Sequence, residues 1–319
     1  MLRYLIRRLL LIPPALLLIN FLGFAYAHYA RPIRAARTPY LPFVPESGPL
    51  IPTYQAYLQT FFNPATRSLT QSEILVTLQN AIVASLGLLS IALLLSVLTG
   101  VILGLTAVRN EPPGVRRWLT FVSTSGLAMP SFYIGSLLIV SSISYVLWKG
   151  PGTELPFPMQ GFGWDKHLVL PVIALMARPT MQIAQLTAGV LSGELAKQYV
   201  TAGRSLGQTW RSIRSKYAMR NILAPVILTI TGSFRLLVGE LVVVEWLFAW
   251  PGLGRLLAQT LVPPLLSSSR GPNLFLDPEV VAIVLTTFGT LFLFADLIAS
   301  FLVRIFDPRL GFNEDVKVS

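Results

Sequence analysis

Six stretches of about 20 or more apolar residues recur along the chain, centred on 9–27, 82–107, 119–148, 168–190, 222–248 and 279–303. Each is long enough to cross a hydrocarbon core of about 30 Å as an α-helix. Lipid offers no partner to a free backbone amide, so a spanning segment must satisfy its hydrogen bonds internally, as a helix does. The pattern therefore predicts an all-α, polytopic membrane protein with six transmembrane helices. Charge content agrees: 12% of the 319 residues are charged and 53% are hydrophobic, where a soluble domain carries roughly 25% charged residues. Arg3, Arg7 and Arg8 ahead of the first run resemble a secretory leader. Its apolar stretch is longer than the roughly 7–15 residues of such leaders, so it is read as a retained first span.

The net charge of +11 is read as topology rather than as nucleic-acid binding, because Lys and Arg accumulate in cytoplasmic loops. Fifteen cations fall before the first span, in 109–117, in 191–220 and after the sixth span, against eight in the opposite and longer loops. Both termini are thus expected in the cytoplasm, with 28–73, 149–166 and 251–277 outside. The expected organisation is an N-terminal end and first helix over 1–27, an extracytoplasmic cap or loop over 28–73, and a membrane core over 74–319. Pro112 and Pro113 make 109–117 a short, stiff link. Residues 191–220 hold six cations and one acid, Glu194, so this stretch reads as a helical segment at the cytoplasmic surface.

Several chemistries are excluded. The chain has no cysteine, hence no disulfide, thiolate or Cys-ligated metal chemistry. It has no G-x-x-x-x-G-K-[ST] run to cradle ATP phosphates, and His28 and His167 form no H-E-x-x-H pair for zinc. Gly252-Leu253-Gly254 is followed by Arg255, not by an intramembrane protease aspartate. No catalytic residue, metal site or cofactor bound by this chain is expected.

Five ionisable residues lie within or at the ends of spans: Arg178, Arg235, Glu240, Glu245 and Asp296. A charge at the bilayer centre costs about 2.5–3.5 kcal/mol on insertion scales, so each needs a partner, a wet cavity or an interfacial position. Arg235 lies about 21 Å along a helix beginning near Asn221 and is expected to face the pathway or pair with an acid. Glu240, about 140° further round, is not its local partner. Glu245 and Asp296 are read either as pathway groups or as solvated or helix-pairing residues near opposite interfaces, and Arg178 beside Pro179 as a structural residue at a broken helix turn. Gly100 and Gly104, with Gly87 and Ala84, offer a shallow face for close helix approach. Trp118, Trp148, Trp164, Trp246 and Trp250 are read as an interfacial belt.

The loop run Gln198-Tyr199-Val200-Thr201-Ala202-Gly203-Arg204-Ser205-Leu206-Gly207, followed by Arg220-Asn221 and Pro225, resembles the cytoplasmic loop of binding-protein-dependent ABC importer permeases. The run from Gly239 to Leu257, Ala128-Met129-Pro130-Ser131-Phe132, His167-Leu168-Val169-Leu170-Pro171, Asp307-Pro308-Arg309 and the opening Met1–Leu10 are similar to the B subunits of dipeptide and oligopeptide systems. Departures are Gln198 in place of an acid, Gly203-Arg204 in place of a more helix-favouring pair, and Tyr217 in place of a histidine. The resemblance implies a type I ABC importer-like permease of the inner membrane, forming half of a pore for di- and oligopeptides or peptide-like solutes. It implies a second, similar permease subunit, identical or distinct, two ATPase subunits that hold ATP and Mg, an extracytoplasmic substrate-binding protein, membrane lipid as surroundings and no nucleic acid. Gln198, Tyr199, Val200, Ala202, Arg204, Gly207, Arg220, Asn221 and Pro225 would form the ATPase-coupling loop. Gly207 suits the left-handed position that ends its helix. A proton- or ion-coupled secondary transporter using Glu240, Glu245 and Asp296, and a scaffold without transport, are the rival readings.

Overall fold

The computed structural model describes residues 2–37, 48–63, 69–150, 152–262 and 274–306. Six helices are long and apolar enough to cross a membrane: Leu9–Ala36, Ser72–Thr106, Ser131–Lys149, Lys166–Leu195, Trp210–Leu247 and Pro278–Leu302. The Asp307-Pro308-Arg309 motif lies outside the described residues.

Two boundaries differ from the sequence reading. The expected third span, 119–148, is broken into α4 (Arg117–Ala128) and α5 (Ser131–Lys149). Pro130 has no N–H to continue the ladder and drives Met129 into an extended conformation, φ −91° and ψ 116°. The first helix, α1 (Leu2–Ala36), runs nine residues beyond 27, and α2 (Leu50–Phe62) forms inside the segment expected as a cap or loop. A helix that keeps its own hydrogen bonds can continue past the bilayer, so hydropathy marks only where its apolar part stops.

The chain divides into two compact units, Met1–Leu86 with Ala249–Leu293, and Gly87–Phe248 with Phe294–Ser319. The helix α3 (Leu69–Thr106) and the last helix (Pro278–Phe306) contribute to both. In the first unit, Phe24, Tyr57 and Ala282 form a core with Leu50, Tyr54, Leu58 and Ile283 around them. Asn20 threads polar groups through it, donating to Tyr57 Oη at 3.2 Å and Thr286 Oγ1 at 3.0 Å and accepting from Tyr54 Oη at 3.0 Å. Burial pushes the Tyr57 phenol up to about 12. Trp250 is not in an interfacial belt: it is fully buried and its indole N–H donates to Ala84 O at 3.1 Å. The exit of the fifth span here uses its tryptophan as a core residue whose polar edge has found an acceptor.

In the second unit α3 is followed by a two-strand hairpin, β1 (Val108–Arg109) and β2 (Gly114–Val115), where a plain link was expected. Then come α4, α5, α6 (Val169–Leu195), α7 (Gln198–Ser205), α8 (Trp210–Ser212), a π-helical turn over Ile213–Ala218, and α9 (Met219–Leu247). The short α10 (Leu253–Leu261) belongs to the first unit, and the last helix is α11. Gly100 and Gly104 set the approach of α3 to α6. A Cβ on Gly100 would lie 2.9 Å from Thr180 O, and one on Gly104 would lie 2.6 Å from Thr187 Cβ and 2.8 Å from Ala184 O. Gly87 lies under the Trp164 ring, which a Cβ there would strike.

Candidate functional site

The short helix α7 projects between the ends of α6 and α9. Its sequence explains why it stops. Leu206 caps it, Gly207 takes φ +78°, the Gly207 N–H bonds to Arg204 O at 2.9 Å, and the Gln208 N–H bonds to Gly203 O at 3.0 Å. This pair of bonds is the Schellman arrangement, which needs a left-handed residue just past the cap. The Arg204 guanidinium reinforces the end by donating to Gln208 O at 2.8 Å and sitting 5.0 Å from the centre of the Trp210 ring.

One side of α7 is anchored and the other is open. Val200 is buried among Ala107, Val108, Leu119, Leu195 and Ile213. Gln198, Thr201, Ala202, Arg204 and Ser205 are exposed, and Leu206 stands 81% exposed. The anchor is Glu194, at the end of α6 with 8% of its side chain exposed. Its Oε1 accepts from Tyr199 Oη at 3.1 Å and from Asn221 Nδ2 at 2.5 Å, and its Oε2 pairs with Lys197 Nζ at 2.5 Å. One carboxylate thus ties α6, α7 and α9 together. Burial and the hydrogen bond to that carboxylate push the Tyr199 phenol up to about 12. On the flank, Arg214 donates to Leu105 O at 2.5 Å and to Asn110 Oδ1 at 3.3 Å, fixing the π-helical turn to the end of α3 and its hairpin. Arg220 is exposed, and Pro225 is half-buried inside α9. The sequence reading named Tyr199 and Asn221 but missed the hub that joins them. Its signal was present, as the single acid in a loop of six cations.

The intramembrane charges form two ion pairs. Arg178 Nη1 donates to Glu240 Oε1 at 2.9 Å, linking α6 to α9, and α6 runs unbroken through Pro179. Arg178 is therefore half of an interhelical pair and not a residue at a broken turn. Arg235 pairs with Asp296 on α11. Their side chains remain 45% and 42% exposed, which at this depth requires water or a protein neighbour in place of lipid. Glu245 is fully buried, not solvated at an interface. Among the described residues no group of three or more His, Cys, Asp or Glu could hold a metal ion.

Six helices able to span a bilayer make the chain a multi-pass membrane protein, and its short helix α7 is tied to the neighbouring spans through Val200 and Glu194. Residues 96–312 match the family of binding-protein-dependent transport system inner membrane components, and the chain belongs to this family of ABC importer permeases. It is 30% identical over 230 residues to a protein assigned as a peptide transport system permease in Brucella abortus, covering 72% of this chain and 68% of that one. It is 27% identical to the oligopeptide transport system permease AppB of Bacillus subtilis over 97% of this chain and 99% of the relative. It is 26% identical to the dipeptide transport system permease DppB of Lactococcus lactis over 76% and 73% of the two chains.

Proposed function

We propose that this chain is a B-type half of the pore of an inner-membrane importer for di- and oligopeptides or peptide-like solutes. It pairs with a distinct second permease, two ATP-hydrolysing subunits carrying ATP and Mg, and an extracytoplasmic binding protein. Both termini and the loop 191–220 face the cytoplasm, and 28–73 lies outside. The surface of α7 around Ala202, Arg204 and Leu206 seats in the ATPase subunit, whose closure is passed to the spans. The observation that carries this reading is the short helix itself: capped at Gly207, anchored by Val200 and Glu194, and bare on its far side. An element that only rested on the membrane surface would gain nothing from so rigid a base.

The test is uptake of trialanine into proteoliposomes that contain this chain with its partner subunits. Uptake should require ATP and loaded binding protein and should survive an ionophore that collapses ion gradients. Uptake driven by the gradient without the ATPase subunits would instead establish a secondary transporter. Orientation is read from a single cysteine at Ser212 in the otherwise cysteine-free chain. An impermeant thiol reagent should leave it unlabelled in intact cells, and labelling would reverse the topology.

A further inference from the structure

The α6 helix carries a polar stripe along one uncovered side. Arg178, Gln182, Gln185, Gly189 and Gly193 recur at intervals of three and four residues. Arg178 and Gln182 are half-exposed, and the other three are exposed. Residues so spaced lie on one face of a helix, and this helix is about 40 Å long, enough to cross the bilayer. A lipid-facing side has no use for an arginine and two primary amides, each costly to bring into hydrocarbon. Gly189 has open space where a Cβ would stand, so this part of the stripe is not packed against another described element of the chain.

At the upper end, the hydrogen bonding is incomplete. The Arg178–Glu240 pair uses one oxygen and one nitrogen, at 2.9 Å. Glu240 Oε2, Gln182 Oε1 and Arg178 Nε are shielded from solvent and have no partner. Each unsatisfied buried group costs about 1–3 kcal/mol. The deficit has a definite chemistry: two acceptors, one of them anionic, beside one donor. A guest bringing several N–H donors on a cation and one adjacent carbonyl oxygen satisfies all three.

We propose that Glu240, Gln182 and Arg178 form a way-station for the amino-terminal end of a translocating peptide. The α-ammonium is taken by Glu240 and Gln182, and the first carbonyl is taken by Arg178 Nε. This rests on the peptide-importer reading above. Rotation of the half-exposed Arg178 and Gln182 side chains toward the stripe presents their polar atoms to the guest, and the exposed Gln185 amide continues the hydrogen bonding to the peptide backbone.

The test uses the complete importer in lipid nanodiscs with one cysteine introduced, Gln185→Cys, and a water-soluble methanethiosulfonate reagent. Labelling of this chain should proceed and be slowed at least tenfold by trialanine, but not by N-acetyl-trialanine, which lacks the ammonium. Adding Glu240→Gln should abolish the protection, and Glu240→Asp should restore part of it, with assembly of each checked by size exclusion. Equal protection by the two peptides, protection that survives Glu240→Gln, or a Gln185→Cys that does not label would overturn the proposal. Failure of the importer reading is separately visible, because ATP hydrolysis would then not rise with trialanine-loaded binding protein in the unsubstituted complex.

Discussion

Gly207 offers the cleanest test of the coupling helix, because its structural cost can be isolated. Its φ of +78° is the left-handed conformation, and no atom lies within 4 Å of the position a Cβ would take. A side chain there meets no steric obstacle, so the whole penalty is backbone strain, about 1–2 kcal/mol for an ordinary L-residue. That lowers the population of the capped loop by a factor of about 5–30 relative to the alternatives. A β-branched residue suffers most, and Asn, which visits this region readily, suffers least. The expected order of ATPase stimulation by loaded binding protein is therefore Gly, then Asn, then Ala, then Val. Gly207→Val should still insert and still pair with the second permease, yet lose ATPase subunits on purification or hydrolyse ATP without responding to substrate. Ser212→Ala, beyond the helix, is the near-silent control. If Gly207→Val stimulates like wild type, or if Asn is as damaging as Val, strain at the cap is not what holds the coupling surface.

Glu194→Ala removes the shared acceptor of Tyr199, Asn221 and Lys197. It should destabilise the loop by about 1–3 kcal/mol, read as faster tryptic cleavage after Lys197 and Arg204. The Tyr199 phenol, raised to about 12, should stay neutral to about pH 10, and its contribution should fade only as pH rises from there past 12. Tyr199→Phe should remove that alkaline limb from loop protection. Gly104→Val should lower thermal stability by about 1–3 kcal/mol through overpacking against Thr187 and Ala184, whereas Gly189→Ala, facing open space, should not; equal effects would show that α3 and α6 do not meet as described. For Arg235 and Asp296, Arg235→Leu should leave assembly intact and lower transport. In a double-mutant cycle with Asp296→Leu the two losses should be non-additive by more than about 0.5 kcal/mol, and additivity would mean that the pair carries no coupling.

Legibility in the sequence follows the range of the physics. Hydropathy is local, so six spans were readable, as was the left-handed end at Gly207, which depends on one residue and its neighbours. Pro130 was equally local, yet the apolar run 119–148 hid the break because a mean over a window averages out one missing donor. Partners across the fold were not readable. Arg178 meets Glu240 62 positions away, and neither periodicity nor spacing points to that acid in preference to Glu245. Trp250 sits beside a span end, as a belt residue would, and only the carbonyl of Ala84 distinguishes a core tryptophan from an interfacial one. Glu194 lies between these cases: its sign was anomalous in its loop, and an anomalous charge next to a helix end is a reason to look for a hub.

The arrangement of these contacts in the second unit bears on how a push at α7 reaches the membrane. Glu194 joins α7 to α6 and α9 at one end, and Arg178 joins the same two spans about 24 Å further along α6. Two ties that far apart resist both sliding and splaying of α6 against α9. The portion of α3 beyond Gly87 packs closely on this block, because a Cβ on Gly100 or Gly104 would collide with Thr180, Ala184 and Thr187 of α6. Closely packed elements of this kind transmit strain to one another. Under the proposed reading, closure of the ATPase on α7 therefore tilts α6, α9 and the joined part of α3 together, and the polar stripe on α6 is carried with them. Arg178, Gln182 and Glu240 would then be carried together and change what they face, which is what a site must do to receive a guest on one side of the membrane and release it on the other.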